Sequence, residues 1–144
     1  MNHAGEITPL AKQVKPDIAI ITTVAPVHSE HFEDGVTGIA KAKSEIFSGM
    51  NQGGHAVVNA DIDTFAIVKA QAQLDGVSLI TFGRADNADS RLIDCLIAAN
   101  GSRVRANILG EEITYSLQWS GEHIAMNSIA VLTAIKLAGA DIHK

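Results

Sequence analysis

Cysteine is nearly absent from this chain of 144 residues, and positive charge is scarce. Because Cys95 is the only cysteine, the chain can form neither an internal disulfide nor a cysteine-rich zinc site. A reducing, cytoplasmic compartment fits this composition best. Lys and Arg number 11 against 16 Asp and Glu, so the formal net charge is −5. No basic run offsets this balance, and we therefore expect no nucleic acid partner.

Long apolar runs are also missing. The longest stretches of apolar side chains span only a few residues, and residues 1–6 lack the charged-then-apolar order of an export signal. We therefore expect no membrane insertion. The composition, 47% hydrophobic and 19% charged, instead suits one compact domain with a substantial core.

The apolar pattern changes at Gly83, and the change predicts an α/β fold. Before Gly83, continuous apolar runs at 17–24, 55–59 and 77–82 are typical of buried parallel strands, of which we expect the first to be central. Helical spacing predicts helices over 5–15, 36–50 and 65–74. After Gly83, alternating runs at 91–98, 104–108 and 113–119 predict an antiparallel meander, and 124–138 predicts a closing helix.

The predicted elements follow one another without a linker, an internal repeat or a low-complexity segment. We therefore predict a single domain over residues 1–144. Its parts are an α/β part at 1–83, a three-stranded antiparallel meander at 84–120 and a closing helix at 121–144.

Two histidines follow the first predicted strand, at the carboxyl end where ligands bind in parallel sheets. His28 can offer a neutral imidazole to a metal ion or a reacting group, and His28-x-x-His31 can form a metal pair on one helical turn. The alternative is a pair of loop histidines that face solvent. Residue types and spacing leave these interpretations open.

Lys43 falls in the middle of the apolar stripe of the second predicted helix. An amine in this position either reaches water along its aliphatic stem or lies near a metal ion or a phosphate, where a neutral amine can react. Lys41 and Glu45 are predicted to point away from the stripe and to form a solvated i,i+4 pair.

Polar side chains also follow the second predicted strand and open the closing helix. Asn59 and Asp61 come at the end of that strand, where Asp61 either caps the next helix or contacts a ligand. His123 and Asn127 lie four residues apart on one face of the closing helix. Either they cap that helix or the Asn127 amide pairs with the edge of a base.

Five stretches of the chain stand in the order and at the intervals of one known family. They are 2–7 (NHAGEI), 20–30 (IITTVAPVHSE), 40–47 (AKAKSEIF), 58–61 (VNAD) and 121–127 (GEHIAMN). Over nearly its whole length the chain resembles the central domain of the Mur ligases. It is most similar to the members that join D-alanyl-D-alanine to UDP-N-acetylmuramoyl-tripeptide.

The resemblance implies the parallel-sheet core of a P-loop-type fold and an ATP-dependent amide ligase of peptidoglycan precursor synthesis. ATP and Mg²⁺ are the implied cofactors, and UDP-N-acetylmuramoyl-tripeptide and D-alanyl-D-alanine are the implied substrates. By resemblance, His28 helps to hold Mg²⁺. Lys43 is carbamylated by carbon dioxide, so that a carboxylate joins the metal and phosphate site, which suits a hard cation better than an ammonium does.

The resemblance also assigns residues to the nucleotide. Asn127 is expected to contact the adenine of ATP. The side chains of Asn59, Asp61 and His123 are expected to lie on the adenine and ribose side of the same site.

One element of that family is missing from the sequence, which contains no G-x-x-x-x-G-K-[ST] loop and no glycine followed by lysine. The resemblance places this phosphate-binding loop upstream of Met1, so we expect a fragment that is inactive by itself. The alternative is a non-catalytic α/β domain that binds a nucleotide or a partner chain. A third hypothesis is a metal-dependent hydrolase that uses His28 and His31.

Overall fold

The structure is a computed structural model, and it describes residues 3–26, 32 and 34–143. These residues form helices and strands in the order α1 Ile7–Val14, β1 Ile18–Ile21, α2 Val36–Ser44, a 3-10 helix Glu45–Gly49, β2 His55–Asn59, α3 Phe65–Leu74, β3 Ser78–Gly83, β4 Ser90–Ala98, β5 Gly101–Ile108, β6 Glu111–Leu117 and α4 Glu122–Leu137. The α/β prediction is therefore confirmed. None of the helices in the described ranges has the length and apolar character needed to cross a membrane.

The chain divides into two compact units. Unit 1 consists of Met1–Val58 and Ile62–Leu79, and unit 2 consists of Asn59–Asp61 and Ile80–Lys144. The strands are hydrogen-bonded in the order β1-β2-β3-β4-β5-β6. The assignment of residues 1–144 to one domain with parts at 1–83, 84–120 and 121–144 stays a prediction.

Unit 1 is built on the parallel pair β1 and β2, in which Ile18 lies opposite His55 and Ile21 opposite Val58. Both strands come from continuous apolar runs, whose side chains are stable only where each face of the strand is covered. The buried core cluster of this unit consists of Ile21, Ala40, Phe47, Ala56, Val58, Val68 and Ala72. The α2 helix contributes Ala40 to this cluster, and α3 contributes Val68 and Ala72.

The expectation that β1 is central is wrong for the residues described here. The strand ends at Ile21 rather than at residue 24, β2 is its one strand neighbour among the described residues, and the Ile20 side chain is 37% exposed. A continuous apolar run indicates that a strand tends to be buried. It does not indicate how many strands flank it.

The predicted pair of Lys41 and Glu45 is also wrong. The Lys41 ammonium pairs with Asp34 at 3.0 Å, and Glu45 belongs to the 3-10 helix that follows α2. Glu45 Oε2 accepts the backbone N–H groups of Ile7 and Thr8, each at 3.2 Å. The free N–H groups at the start of α1 and the positive end of its dipole attract a carboxylate, and spacing within α2 cannot reveal such a distant contact.

Unit 2 contains the predicted antiparallel meander and the closing helix, and both are confirmed. β4 pairs antiparallel with β5, and β5 pairs antiparallel with β6. α4 packs on β4 and β5. Completely buried side chains at this contact include Val104, Ala106, Ile108, Ile129 and Ala130.

A parallel pairing of β3 with β4 was not predicted. Phe82 lies opposite Ser90 and Gly83 opposite Arg91, although only residues 84–89 connect the two strands. Parallel neighbours usually need a longer crossover. Here the carboxylate of Asp89 accepts the N–H of Thr81 at 2.7 Å, while the Thr81 hydroxyl accepts the N–H of Asp89 at 3.0 Å. This reciprocal pair closes the short connection.

The contact between Glu45 and α1 generates a stability prediction. Glu45→Ala removes the acceptor for the N–H groups of Ile7 and Thr8, so we expect the free energy of unfolding to fall by about 1–2 kcal/mol. Lys41→Ala is the control, because its exposed ion pair contributes within about 0.5 kcal/mol. Urea unfolding measures both. Equal losses, or unchanged hydrogen exchange at Ile7 and Thr8 in Glu45→Ala, would contradict the capping role.

Candidate functional site

Lys43 lies in the last turn of α2, in unit 1, and its side chain is half-buried. Ala42 and Ser44 on either side are buried, and so is Ala40, nearly one turn earlier. The amine makes no hydrogen bond or ion pair with a described residue. Lys43 therefore combines a half-buried side chain with an amine that no described side chain neutralises.

His28 and His31 lie outside the described residues, so the metal hypotheses for them stay predictions. Within the ranges that the structure describes, no group of three or more His, Cys, Asp or Glu side chains is arranged to hold a metal ion.

In unit 2, Asn59 and Asp61 form a hydrogen-bonded turn at the end of β2. The Asn59 Oδ1 atom accepts the N–H of Asp61 at 2.9 Å. Asp61 Oδ2 in turn accepts the N–H of Arg84 at 2.9 Å. The helix-capping alternative for Asp61 is wrong, because Thr64 is the N-cap residue of α3 and the Asp61 carboxylate binds the end of β3 instead.

Gly83 allows Asp61 to approach the end of β3. A Cβ atom at Gly83 would lie 2.6 Å from Asp61 Oδ1, which is closer than any side chain tolerates. In the sequence, Gly83 is only the point where the apolar pattern changes. Its packing role depends on a contact with a residue on another strand end.

Arg84 extends this contact to the first residue of α4. Its Nε donates to Glu122 Oε1 at 3.0 Å, and its Nη2 lies 2.7 Å from Glu122 Oε2, so the pair is two-pronged. The hydrogen bond to Glu122 raises the pKa of the Arg84 guanidinium, and the charge of Asp61 acts in the same direction. The sequence pattern does not indicate the pairing of Arg84 with Glu122, because residues 38 positions apart give no local signal.

His123 and Asn127 are exposed on the first turns of α4. The helix begins after Gly121, whose φ of +137° favours glycine, and a Cβ there would lie 2.9 Å from the Cε1 atom of His123. The imidazole therefore lies over Gly121. Neither His123 nor Asn127 makes a side-chain hydrogen bond with a described residue, so the capping alternative for them is wrong.

Four of the six predicted site residues thus lie in unit 2: Asn59, Asp61, His123 and Asn127. Asp61 is linked to the start of α4 through Arg84 and Glu122. Carboxylate, amide and imidazole groups in this arrangement suit the hydroxyl groups and base edge of a nucleoside. Lys43 belongs to unit 1, and His28 lies outside the described residues.

A cavity of about 410 Å³ lies elsewhere in unit 2, between β6 and α4. Apolar side chains of Ile113, Leu117, Val131 and Leu132 line it, and Tyr115 closes one side through a hydrogen bond of 2.6 Å to Ser128. None of the predicted site residues lines this cavity.

A family model for the Mur ligase middle domain matches residues 1–135. The chain therefore belongs to the Mur ligase family. Among curated relatives, it is 30% identical over 143 residues to the UDP-N-acetylmuramoyl-tripeptide--D-alanyl-D-alanine ligase of Rickettsia prowazekii, covering 99% of this chain and 32% of that protein. The Escherichia coli protein of the same name is 28% identical, with 98% and 31% covered. The chain thus spans about a third of the length of these relatives.

Solved structures share the fold. A MurF crystal structure from Acinetobacter baumannii superposes with a TM-score of 0.90 at 24% identity, covering 99% of this chain and 30% of that one. The MurF ligase of Thermotoga maritima in complex with ADP has a TM-score of 0.81 at 23% identity, with 97% and 32% covered. The predicted fold of the family's central domain is confirmed.

The close approach at Gly83 can be tested with a double-mutant cycle. Gly83→Ala should lower the free energy of unfolding by about 1–3 kcal/mol, because the new methyl group collides with the Asp61 carboxylate. In an Asp61→Ala background the same change should cost much less, since the colliding atoms are gone. Urea unfolding of the four variants gives the coupling. Additive costs would contradict the contact.

Proposed function

We propose that this chain supplies middle-domain residues of an ATP-dependent amide ligase that joins D-alanyl-D-alanine to UDP-N-acetylmuramoyl-tripeptide. The observation that carries the proposal is the similarity over 99% of the chain to a relative named for this reaction. In the proposed reaction, ATP phosphorylates the tripeptide carboxylate to an acyl phosphate. The amine of D-alanyl-D-alanine attacks the acyl carbon, phosphate leaves, and an amide bond forms.

The proposed roles follow the chemistry of the side chains. Asn127 and His123 offer an amide and an imidazole to the adenine, and Asn59 and Asp61 lie on the ribose side. The half-buried Lys43 ammonium first loses a proton, and the neutral amine then attacks carbon dioxide and loses a second proton, which leaves an anionic carbamate. Two observations support this role: Lys43 is half-buried, and its amine has no hydrogen-bond or ion-pair partner among the described residues.

The proposal includes Mg²⁺, for which the resemblance assigns His28 and the Lys43 carbamate. Among the described residues, no set of three His, Cys, Asp or Glu side chains is arranged to hold the ion. We propose a cytoplasmic location, where the single thiol of Cys95 stays reduced.

The 144 residues by themselves contain no glycine-rich phosphate loop, whose backbone N–H groups cradle the phosphates of ATP. We therefore expect the isolated chain to bind ATP weakly and to form no amide bond. Isothermal titration calorimetry with Mg²⁺ and ATP measures the affinity. Micromolar affinity, or release of phosphate by the isolated chain, would contradict this part of the proposal.

A chimera tests the ligase activity itself. Residues 1–144 replace the matched segment of the Rickettsia prowazekii ligase, and amide formation is measured with both substrates and ATP. We expect turnover that requires all three. A chimera that folds, as shown by circular dichroism and cooperative unfolding, but forms no amide would contradict the proposal. It would favour the alternative of a nucleotide-binding or partner-binding domain without catalytic function.

Within the chimera, Lys43→Ala should reduce turnover by at least about 100-fold, because alanine cannot capture carbon dioxide and the phosphate charges lose a compensating group. Lys41→Ala, on the exposed side of the same helix, should retain turnover within about twofold, because it removes only a solvated ion pair. Nuclear magnetic resonance with ¹³C-bicarbonate should show a carbamate in the Lys41 variant and none in the Lys43 variant. Equal losses of activity would contradict the role of Lys43.

A further inference from the structure

The outer face of the meander, which is turned away from α4, carries two arginines. Val104 and Ala106 of β5 are completely buried on the α4 side, so the alternating Arg103 and Arg105 lie on the opposite face. Arg103 is exposed and makes no hydrogen bond or ion pair with any residue that the structure describes. Arg105 pairs with Glu112 only at 3.8 Å. Neither guanidinium is therefore closely bound by a carboxylate.

The β4 strand contributes a carboxylate to this face because its register on β5 shifts at Ile93. Leu92 is buried on the α4 side. In a regular strand Asp94, two residues later, would face the same way as Leu92. The register shift instead places Asp94 opposite Arg105 on the outer face, because one extra residue reverses the side chains that follow it.

A pocket of about 310 Å³ opens on this face, and we call it the outer-face pocket. Its lining residues are Asp94, Leu96, Arg103, Arg105 and Thr114. Leu96, which is 62% exposed, lies opposite Arg103, while Asp94 and Thr114 flank Arg105 on the two neighbouring strands. The volume falls at the lower end of the range of about 300–1,000 Å³ that small-molecule sites occupy. The pocket therefore suits a small ligand.

Opposite charges in the outer-face pocket are not paired with each other. Asp94 Oδ1 accepts the N–H of Cys95 at 2.9 Å, and no ion pair joins this carboxylate to a described side chain. Arg103 is equally unpaired within the described chain. Separate positive and negative groups beside an exposed aliphatic side chain are complementary to a molecule that has charges of both signs and an apolar part.

We propose that the outer-face pocket binds a free α-amino acid with an aliphatic side chain. The carboxylate of the ligand lies between Arg103 and Arg105, its ammonium lies at Asp94, and its side chain packs on Leu96. This inference goes beyond the proposed function, which assigns no role to these residues, and it does not depend on that function.

The spacing of the lining residues supports a ligand of this size. Arg103 and Arg105 are two residues apart on one strand, so their Cα atoms are about 7 Å apart, and two long side chains can converge on one carboxylate. Asp94 is directly across from Arg105, at a Cα separation of about 5 Å. In an α-amino acid the two charged groups share one carbon atom, so both can reach their partners. A dipeptide holds its charges further apart.

A titration of the ¹⁵N-labelled 144-residue chain with L-leucine, at one pH and ionic strength, tests the proposal. L-Leucine should shift the backbone amides of Leu96, Arg103 and Thr114 and reach saturation. Three analogues each lack one group: 3-methylbutylamine the carboxylate, 4-methylpentanoate the amine, and glycine the side chain. Each should bind at least about threefold more weakly, and so should D-alanyl-D-alanine, whose charges are further apart. Inorganic phosphate is the control for a general anion site.

Two pairs of variants assign the contacts. Arg103→Gln should weaken L-leucine at least about threefold and leave 3-methylbutylamine unchanged, because that amine has no carboxylate to lose a partner. Asp94→Asn should weaken L-leucine and not 4-methylpentanoate. Lys69→Gln and Asp75→Asn make the same changes of net charge on and after α3 and should leave L-leucine binding unchanged. Simple loss of structure would weaken every ligand together.

The inference is overturned if L-leucine shifts none of the three amides, or if an analogue or D-alanyl-D-alanine binds as tightly as L-leucine. Equal shifts with phosphate would also overturn it, because they would show an adventitious ion only. Turnover by the chimera is a separate measurement. An active chimera without leucine binding would remove this inference alone, and an inactive but folded chimera with leucine binding would remove the proposed function alone.

Discussion

The placement of the Asp61 carboxylate over Gly83 is the constraint on which the candidate nucleotide site depends. Arg84, the residue after Gly83, donates its backbone N–H to Asp61 Oδ2 at 2.9 Å. This contact sets the direction in which the Arg84 side chain leaves the strand end. The arginine then reaches Glu122, and α4 begins at the place where His123 and Asn127 are exposed together.

The far end of α4 is held by different interactions. The Thr133 hydroxyl donates to the buried Ser90 Oγ at 2.8 Å, and Ser90 belongs to β4. Lys136 in the last turn donates to the backbone oxygen of Ile108 at 2.9 Å and binds Glu111 at 2.7 Å. Because buried hydroxyl groups need partners, these bonds define the register of the helix on the meander.

In unit 1, Lys43 and Glu45 are two residues apart but differ in their contacts. Glu45 connects the end of α2 to the start of α1, which lies almost forty residues earlier in the chain. Lys43 has no such partner among the described residues. A half-buried charged group that makes no structural contact of this kind is a candidate for a role in a reaction.

The elements of the fold are predictable from the sequence, because apolar periodicity is local. Helical spacing, continuous apolar runs and alternating runs located α1, β2, α3, the meander and α4 within a few residues, with β2 matching at both ends. The same local pattern distinguished Lys43 from Lys41. It also identified Asn59, Asp61, His123 and Asn127 as polar groups at strand and helix ends, although spacing did not separate capping from binding.

How these elements meet depends on contacts that form only in the folded chain. Three of these contacts join residues that are distant in sequence: β1 lies beside β2, Glu45 binds the start of α1, and Arg84 pairs with Glu122. The fourth, the parallel pairing of β3 with β4, joins strands that are unusually close in sequence for a parallel pair. Such contacts form because a carboxylate finds whichever donors the folded backbone brings within hydrogen-bonding distance. The sequence pattern does not indicate which groups come within this distance. At Gly83, for example, it shows only a change of apolar pattern, whereas in the folded chain Gly83 leaves room for the Asp61 carboxylate.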